Sequence, residues 1–195
     1  MFIFLGSLFF VNYYIKKLFN YIYILIFLTS SLLASKIMED SVNQINEFYP
    51  DNINIEHKLY KLTKEDKKSQ NVVRQKYFRK ELNVWRIQLS DSTYRFAILD
   101  NVKGKSMPIT FLTIFNEEKK LSNAAVIKYR EAYGGEVGRQ SWLTQFNEYT
   151  DESNYKVGDG VSGISGATIS VYSMSKGIHK LSIIIDSIIG SYNES

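Results

Sequence analysis

The chain of 195 residues contains no cysteine. That single absence excludes thiolate metal sites, iron–sulfur clusters, haem attached through paired cysteines, thiol nucleophiles and disulfides together. Histidine is nearly as scarce, with His57 and His179 alone. They stand far apart and not at the spacing of a helical metal pair, so no metal site is expected, and a Ser-His-Asp hydrolase would have to rest on one of these two rings. A strong charge of one sign is missing as well. The formal net charge is +4, and Lys16 and Lys17 supply half of it before the first acidic residue. The rest is a small, scattered excess over 20 carboxylates, which is not the concentrated basic face of a nucleic-acid binder. The densest basic run, residues 64–80, is interrupted by acids and reads as a solvated helix face.

The first 35 residues lack acidic side chains altogether. A lysine pair is followed by 17 largely apolar residues, Leu18 to Ala34, and then the small residues of "LLAS". This is the order of an export signal: a cationic patch, an apolar stretch, and a small-residue end. Uncleaved, the stretch is at the lower limit for crossing a bilayer, so residues 1–35 read as a signal peptide or a membrane anchor. Lys16 and Lys17 favour the cytoplasmic side, which predicts an exported domain, periplasmic or on the outer face of the inner membrane.

What is present in quantity is core material, with 45% hydrophobic and 14% aromatic residues, ample for one packed domain. Residues 37–48 and 62–78 have helical apolar spacing around the break "YPDN", which predicts an N-terminal helical segment over 36–80. From Leu82 the period changes to two. Trp85, Ile87 and Leu89, then Tyr94, Phe96 and Ile98, then Ile109, Phe111 and Phe115, then Ala125, Ile127 and Tyr129 predict four strands. Their short connections favour an antiparallel meander. The last stretch places Val171, Met174, Ile178, Leu181, Ile185 and Ile188 on one stripe, predicting a long amphipathic helix from Thr168 to Gly190. The expected class is therefore α+β: about four antiparallel strands packed with a long C-terminal helix and short N-terminal helices, the main domain covering residues 81–195.

Residues 157–170, "VGDGVSGISGATIS", hold two competing phosphate-binding signals. "GDGVSG" fits the dinucleotide fingerprint G-x-G-x-x-G at Gly158, Gly160 and Gly163, but the preceding "DESNYK" is a poor strand and no second strand follows to complete a βαβ unit. "SGAT" is better placed, because it feeds directly into the amphipathic helix, whose first N–H groups lack internal partners and attract anions. Gly166 and Ala167 leave room for a ligand, and Thr168 and Ser170 bring hydroxyls to the same spot. Simple capping of the helix by Thr168 or Ser165 is the plainer alternative.

On these residues the chain resembles the FMN-binding domain found in subunits of membrane redox complexes and in small exported flavoproteins. In that family an Asp-x-x-Ser/Thr-Gly-Ala-Thr motif ends in a threonine esterified to the FMN phosphate by an FMN transferase. Ser165, Gly166, Ala167 and Thr168 fall on the motif, which makes Thr168 the attachment residue by resemblance. A second family segment, Glu-Thr-Pro-Gly followed by Trp and Gln-Phe, is similar to Glu131, Gly134, Trp142, Gln145 and Phe146. The resemblance implies FMN as cofactor and an electron carrier rather than a stand-alone catalyst, partnered by an FMN transferase and a membrane redox protein. It further implies that Trp142 and Tyr133 pack on the flavin ring and that Glu131 or the amides near Gly134 bond its edge, although Trp142 and Phe146 at i, i+4 equally suit a core pair. Two departures stand out: Ser162 occupies the place of the family Asp, and Ala132 and Tyr133 replace Thr-Pro. The alternative is an exported binding module of the same fold with non-covalent or no flavin.

Overall fold

The computed structural model describes the backbone of residues 3–193 and the side chains of 16–23 and 34–193; part of the predicted apolar stretch, residues 24–33, lies outside the described side chains. The chain divides into two compact units, residues 1–40 and 41–195. The first is helical, part of helix α1 (Ile3–Phe48), whose last residues belong to the second unit. Among the described residues no helix is long and apolar enough to cross a membrane.

The second unit is α+β. Five strands form one antiparallel sheet in sequence order: β1 (Asn52–Lys61), β2 (Glu81–Leu89), β3 (Tyr94–Lys103), β4 (Pro108–Asn116) and β5 (Leu121–Lys128). The period-two reading from Leu82 onward is borne out by β2 to β5. Because paired residues in an antiparallel sheet share a face, the registers Val84↔Ile98, Ile98↔Thr113 and Phe96↔Phe115 define one side of it. On that side, following the four-residue helix α3 (Gln140–Leu143) in the chain, lies helix α4 (Thr168–Asn193), packing Val171, Met174, Ile178, Leu181, Ile185 and Ile188 into the main core. The other side carries Trp85, Ile87, Ala97, Leu99, Leu112 and Ile114, also buried. Burial of both faces explains why β4, "PITFLTIFN", reads as an almost unbroken apolar run.

Three expectations need correction. Residues 62–78 do not form one helix: a 3-10 turn at Asp66–Lys68 leads into the five-residue helix α2 (Ser69–Val73). Arg74 then ends it in the left-handed region, at φ 54°. The Asp66 carboxylate fixes the start, accepting from the Thr63 amide and hydroxyl and from the Tyr60 hydroxyl, each at 2.8 Å. The count of four strands omits β1, an edge strand with few buried side chains. Helix α4 also runs past Gly190, because Tyr192 is anchored: its hydroxyl donates to the Val84 carbonyl at 3.2 Å and the Lys58 ammonium lies 4.0 Å from its ring centre.

Within the core, α4 carries one charge. Lys180 is fully buried and its Nζ lies 2.8 Å from Oδ2 of Asp100 on β3. Lys180 also donates to the Lys76 carbonyl at 3.3 Å and sits 4.0 Å from the Tyr77 ring centre. It thereby ties the segment after α2 to the sheet.

Candidate functional site

At the start of α4 the "SGAT" residues divide their tasks. The Ala167 amide donates to the Ile164 carbonyl at 3.1 Å, closing a turn whose third residue, Gly166, has φ +81°. A glycine suits that position, since other residues adopt a positive φ only at a cost. Ala167 is buried and stands in the capping position, and its carbonyl accepts the first helical hydrogen bond, from Val171 at 2.9 Å. Ala167 has no side-chain acceptor. Thr168 is the first residue inside the helix rather than its cap, so among the described residues no side chain accepts from the Thr168, Ile169 or Ser170 amides. Three N–H groups at the positive end of a long helix therefore point outward, carrying about half a unit of positive charge between them and their neighbours. The Thr168 side chain is exposed beside them.

These residues form one wall of a groove of about 620 Å³, lined by Lys105 to Met107, Arg130 to Gly134, and Gly166 to Ser170. The size is in the range of small-molecule and cofactor sites. The β3–β4 turn supplies one side and the segment after β5 the other. Glu131 joins them: its Oε1 accepts from the Ser106 and Met107 amides at 2.8 and 3.0 Å. Those two hydrogen bonds hold the carboxyl below the usual glutamate range. Glu131 thus shapes the wall as a brace. Gly104 allows this, since a β-carbon there would overlap the Glu131 carboxylate and the Met107 carbonyl.

Gly134 is required on two counts. Its φ is +86°, and a β-carbon would stand 2.7 Å from the Tyr129 hydroxyl and 3.1 Å from Ser170 Oγ. The Tyr129 hydroxyl donates to the Tyr133 carbonyl and lies 3.0 Å from Ser170 Oγ, so the 129–134 turn is fastened to the first turn of α4. Arg130 donates to the Pro108 carbonyl and to Thr110 Oγ1, both at 2.9 Å. Burial lowers its guanidinium from the ordinary value, but arginine starts so high that it remains charged at neutral pH. With Lys105 it adds positive charge to the groove.

Six of the eight expected site residues meet here: Thr168, Gly166, Ala167, Ser170, Glu131 and Gly134. Ser165 is exposed in the adjoining turn and Trp142 lies elsewhere. Trp142 is buried, edge-on to Phe146 at 5.3 Å between ring centres, with its indole N–H donating to the Ser162 carbonyl at 2.9 Å. Its role is to hold the loop that leads to SGAT, and Gln145 does the same by accepting from the Ser162 amide at 2.7 Å. Tyr133 does line the groove and is 85% exposed. Sequence reading missed Lys105, Met107 and Arg130. Their signal was slight: a "KGKS" turn and a basic residue at a strand end.

"GDGVSG" proves to be a structural turn. The Gly158 amide donates to the Val161 carbonyl at 2.8 Å, and the Tyr149 hydroxyl to the Gly160 carbonyl at 2.7 Å. Val161 is thereby buried in the main core. His179 offers no base to Ser170: its ring stacks on Tyr155 at 4.3 Å and its Nε2 lies 3.1 Å from the Asp151 carbonyl.

Fold and groove together define an α+β domain whose groove at the start of α4 suits a ligand with an anionic end. Residues 104–182 match the family model of the FMN-binding domain. The match spans the β3–β4 turn, the Glu131–Gly134 segment, SGAT and the first half of α4, which are the parts that build the groove, and FMN is the cofactor of this domain. No curated protein and no solved structure matches the chain.

Proposed function

We propose that the protein is an exported electron-carrier flavoprotein whose FMN is tethered through a phosphoester to Thr168. The observation that carries this reading is the exposed Thr168 on the first helical residue, beside amides that no side chain among the described residues accepts from. FMN fits the groove in volume and charge. Its phosphate suits the Thr168, Ile169 and Ser170 amides with Lys105 and Arg130 near, and its planar ring suits the space between the β3–β4 turn and Tyr133. When bound, it supplies one- and two-electron transfer. The chain's own part is positioning: Glu131 and Tyr129 brace the two walls, and the helix dipole offsets the charge a phosphodiester keeps.

The lysine pair and the apolar stretch before residue 36 support export, and a tethered cofactor suits an exported protein because released FMN would be lost by dilution. An FMN transferase attaches the cofactor on this reading, and a membrane redox protein exchanges electrons with it. A second reading, non-covalent flavin, is favoured by Ser162. The loop that the family motif opens with Asp here offers a hydroxyl, and its backbone is held by Trp142 and Gln145.

Intact mass of the denatured full chain after co-expression with an FMN transferase decides between them. A gain of FMN less one water, mapped to the Thr168 peptide and abolished in Thr168→Val, is expected. An unmodified mass with flavin absorbance in the native protein refutes the tether and leaves the second reading.

A further inference from the structure

A second groove lies one helical turn along α4 from the first. It has a volume of about 360 Å³ and is lined by Arg74, Gln75, Lys76, Phe78, Lys103, Tyr172, Ser173 and Lys176. Four of these residues are cations and none is acidic. Among the described residues Arg74, Lys76, Lys103 and Lys176 form no ion pair, although the chain as a whole is nearly balanced in charge. Two aromatic rings, Phe78 and Tyr172, are 52% and 47% exposed there. Exposed rings on a monomeric surface are ordinary singly, but a pair in a concave site among unpaired cations is a recognisable combination.

The groove is firmly built. Gln75 Nε2 donates to the Ser173 carbonyl at 3.2 Å, and the Ser173 hydroxyl donates to the Lys103 carbonyl, so α4, the end of β3 and the segment after α2 are joined through one residue. Gln75 Oε1 is left buried without a donor from the described residues. Lys180 secures Lys76 and Tyr77 from below, as described above. Arg74 holds its left-handed φ of 54° at the rim, a position where glycine would be unstrained.

We propose that this second groove binds a planar aromatic anion, with its ring on Phe78 and Tyr172 and its anionic groups on Lys103, Lys176 and the neighbouring Arg74 and Lys76. Aromatic faces accept a flat ring of any detailed structure, and cations near them add both direct attraction and cation–π contact. A concave site of this volume suits a small molecule better than the flat face of a protein. The site does not depend on the tether at Thr168. Tyr172 stands about 6 Å along the helix axis from Thr168, so an occupant would lie next to the cofactor groove.

Anthraquinone disulfonate is a suitable probe, titrated calorimetrically into the full chain in a neutral detergent. Saturable binding is expected, weakened by salt as for any charge-led contact. The double variant Lys103→Glu/Lys176→Glu should weaken it by about tenfold or more, and Tyr172→Ser by several-fold. The Thr168→Val chain should bind the probe as well as the wild type, which separates this site from the flavin reading. The proposal is overturned by sulfate binding as tightly as the disulfonate, or by binding that responds to Lys105→Glu and not to the double variant. It is equally overturned by a short polyglutamate peptide that outcompetes the probe, since the surface would then be a protein-docking face.

Discussion

Lys180→Met removes an ammonium while keeping most of its stem, and it isolates the buried contact with Asp100. Both side chains are essentially without solvent exposure, at 0% and 1%. A pair this deep gains little over two apolar residues, but removing one partner leaves the other charged and unpaired, at about 3–5 kcal/mol. For a chain of this length that corresponds to roughly 2–4 °C of melting temperature per kcal/mol. The direction of the Asp100 pKa adds a signature. Burial raises it above the ordinary aspartate value, and Lys180 is the first influence pulling it back. A carboxyl raised on folding contributes stability that is present at low pH and lost as pH climbs through its folded value. Without Lys180 the folded value rises further, so the deficit of Lys180→Met should be largest at neutral pH and shrink as the ordinary aspartate range is approached. Urea unfolding of the full chain in neutral detergent, followed by circular dichroism at several pH values, measures this. Asp100→Leu/Lys180→Met should recover most of the lost stability. A deficit below about 1 kcal/mol, or one that does not change with pH, refutes the reasoning.

Three further outcomes are expected. Gly134→Ala should cost about 1–3 kcal/mol, because it combines a positive φ with a β-carbon 2.7 Å from the Tyr129 hydroxyl; thermal melts measure the cost, and retained flavin would show the turn is not part of the groove. Gly177→Ala places a β-carbon against Val102 and 3.0 Å from Phe111 Cζ, so overpacking of α4 on the sheet should destabilise by a similar amount, with chemical denaturation as the check. Glu131 is held below the usual glutamate range by the Ser106 and Met107 amides, so its bracing persists above that range and is lost as pH falls through the folded value. The two amide resonances should shift together in an acid titration and be insensitive to it in Glu131→Gln.

The fold was legible where one physical signal dominated. Strands β2 to β5 were legible because apolar residues recur at every second position on one face of each, even though both faces of β3 and β4 are buried, and α4 shows its stripe because one side packs on the sheet. Strand β1 was not legible for a structural reason. It is an edge strand, with Ile53 and Leu59 about 60% exposed, and its partners toward α4 are Glu56 and Lys58, which reach Arg86 and Tyr192. Its apolar alternation, Ile53, Ile55 and Leu59, is broken at His57 and largely exposed, which makes it a weak signal in an edge strand that buries mainly Tyr60. The basic run at 64–80 likewise suggested a longer helix, but its geometry is set by Asp66 and Arg74, single residues whose tertiary roles leave no periodic trace.

The candidate site was legible only in its backbone-determined part. A glycine turn feeding a long amphipathic helix pointed from sequence to an anion-suited helix start, with capping by Thr168 or Ser165 as the alternative, and the structure places Ala167, which has no side-chain acceptor, at the capping position. Lys105, Arg130 and Met107 come from connections whose placement depends on how the β3–β4 turn meets the segment after β5, and Glu131 bridges those two only in the folded chain. Trp142 shows the converse. A tryptophan near a cofactor motif invites a stacking role, but its partners at i+4 and at Ser162 draw it into the core. Its contribution to the site is then indirect: by holding the Ser162 carbonyl it sets the path of the loop, and that path delivers Gly166 with a positive φ and Thr168 to the mouth of the groove.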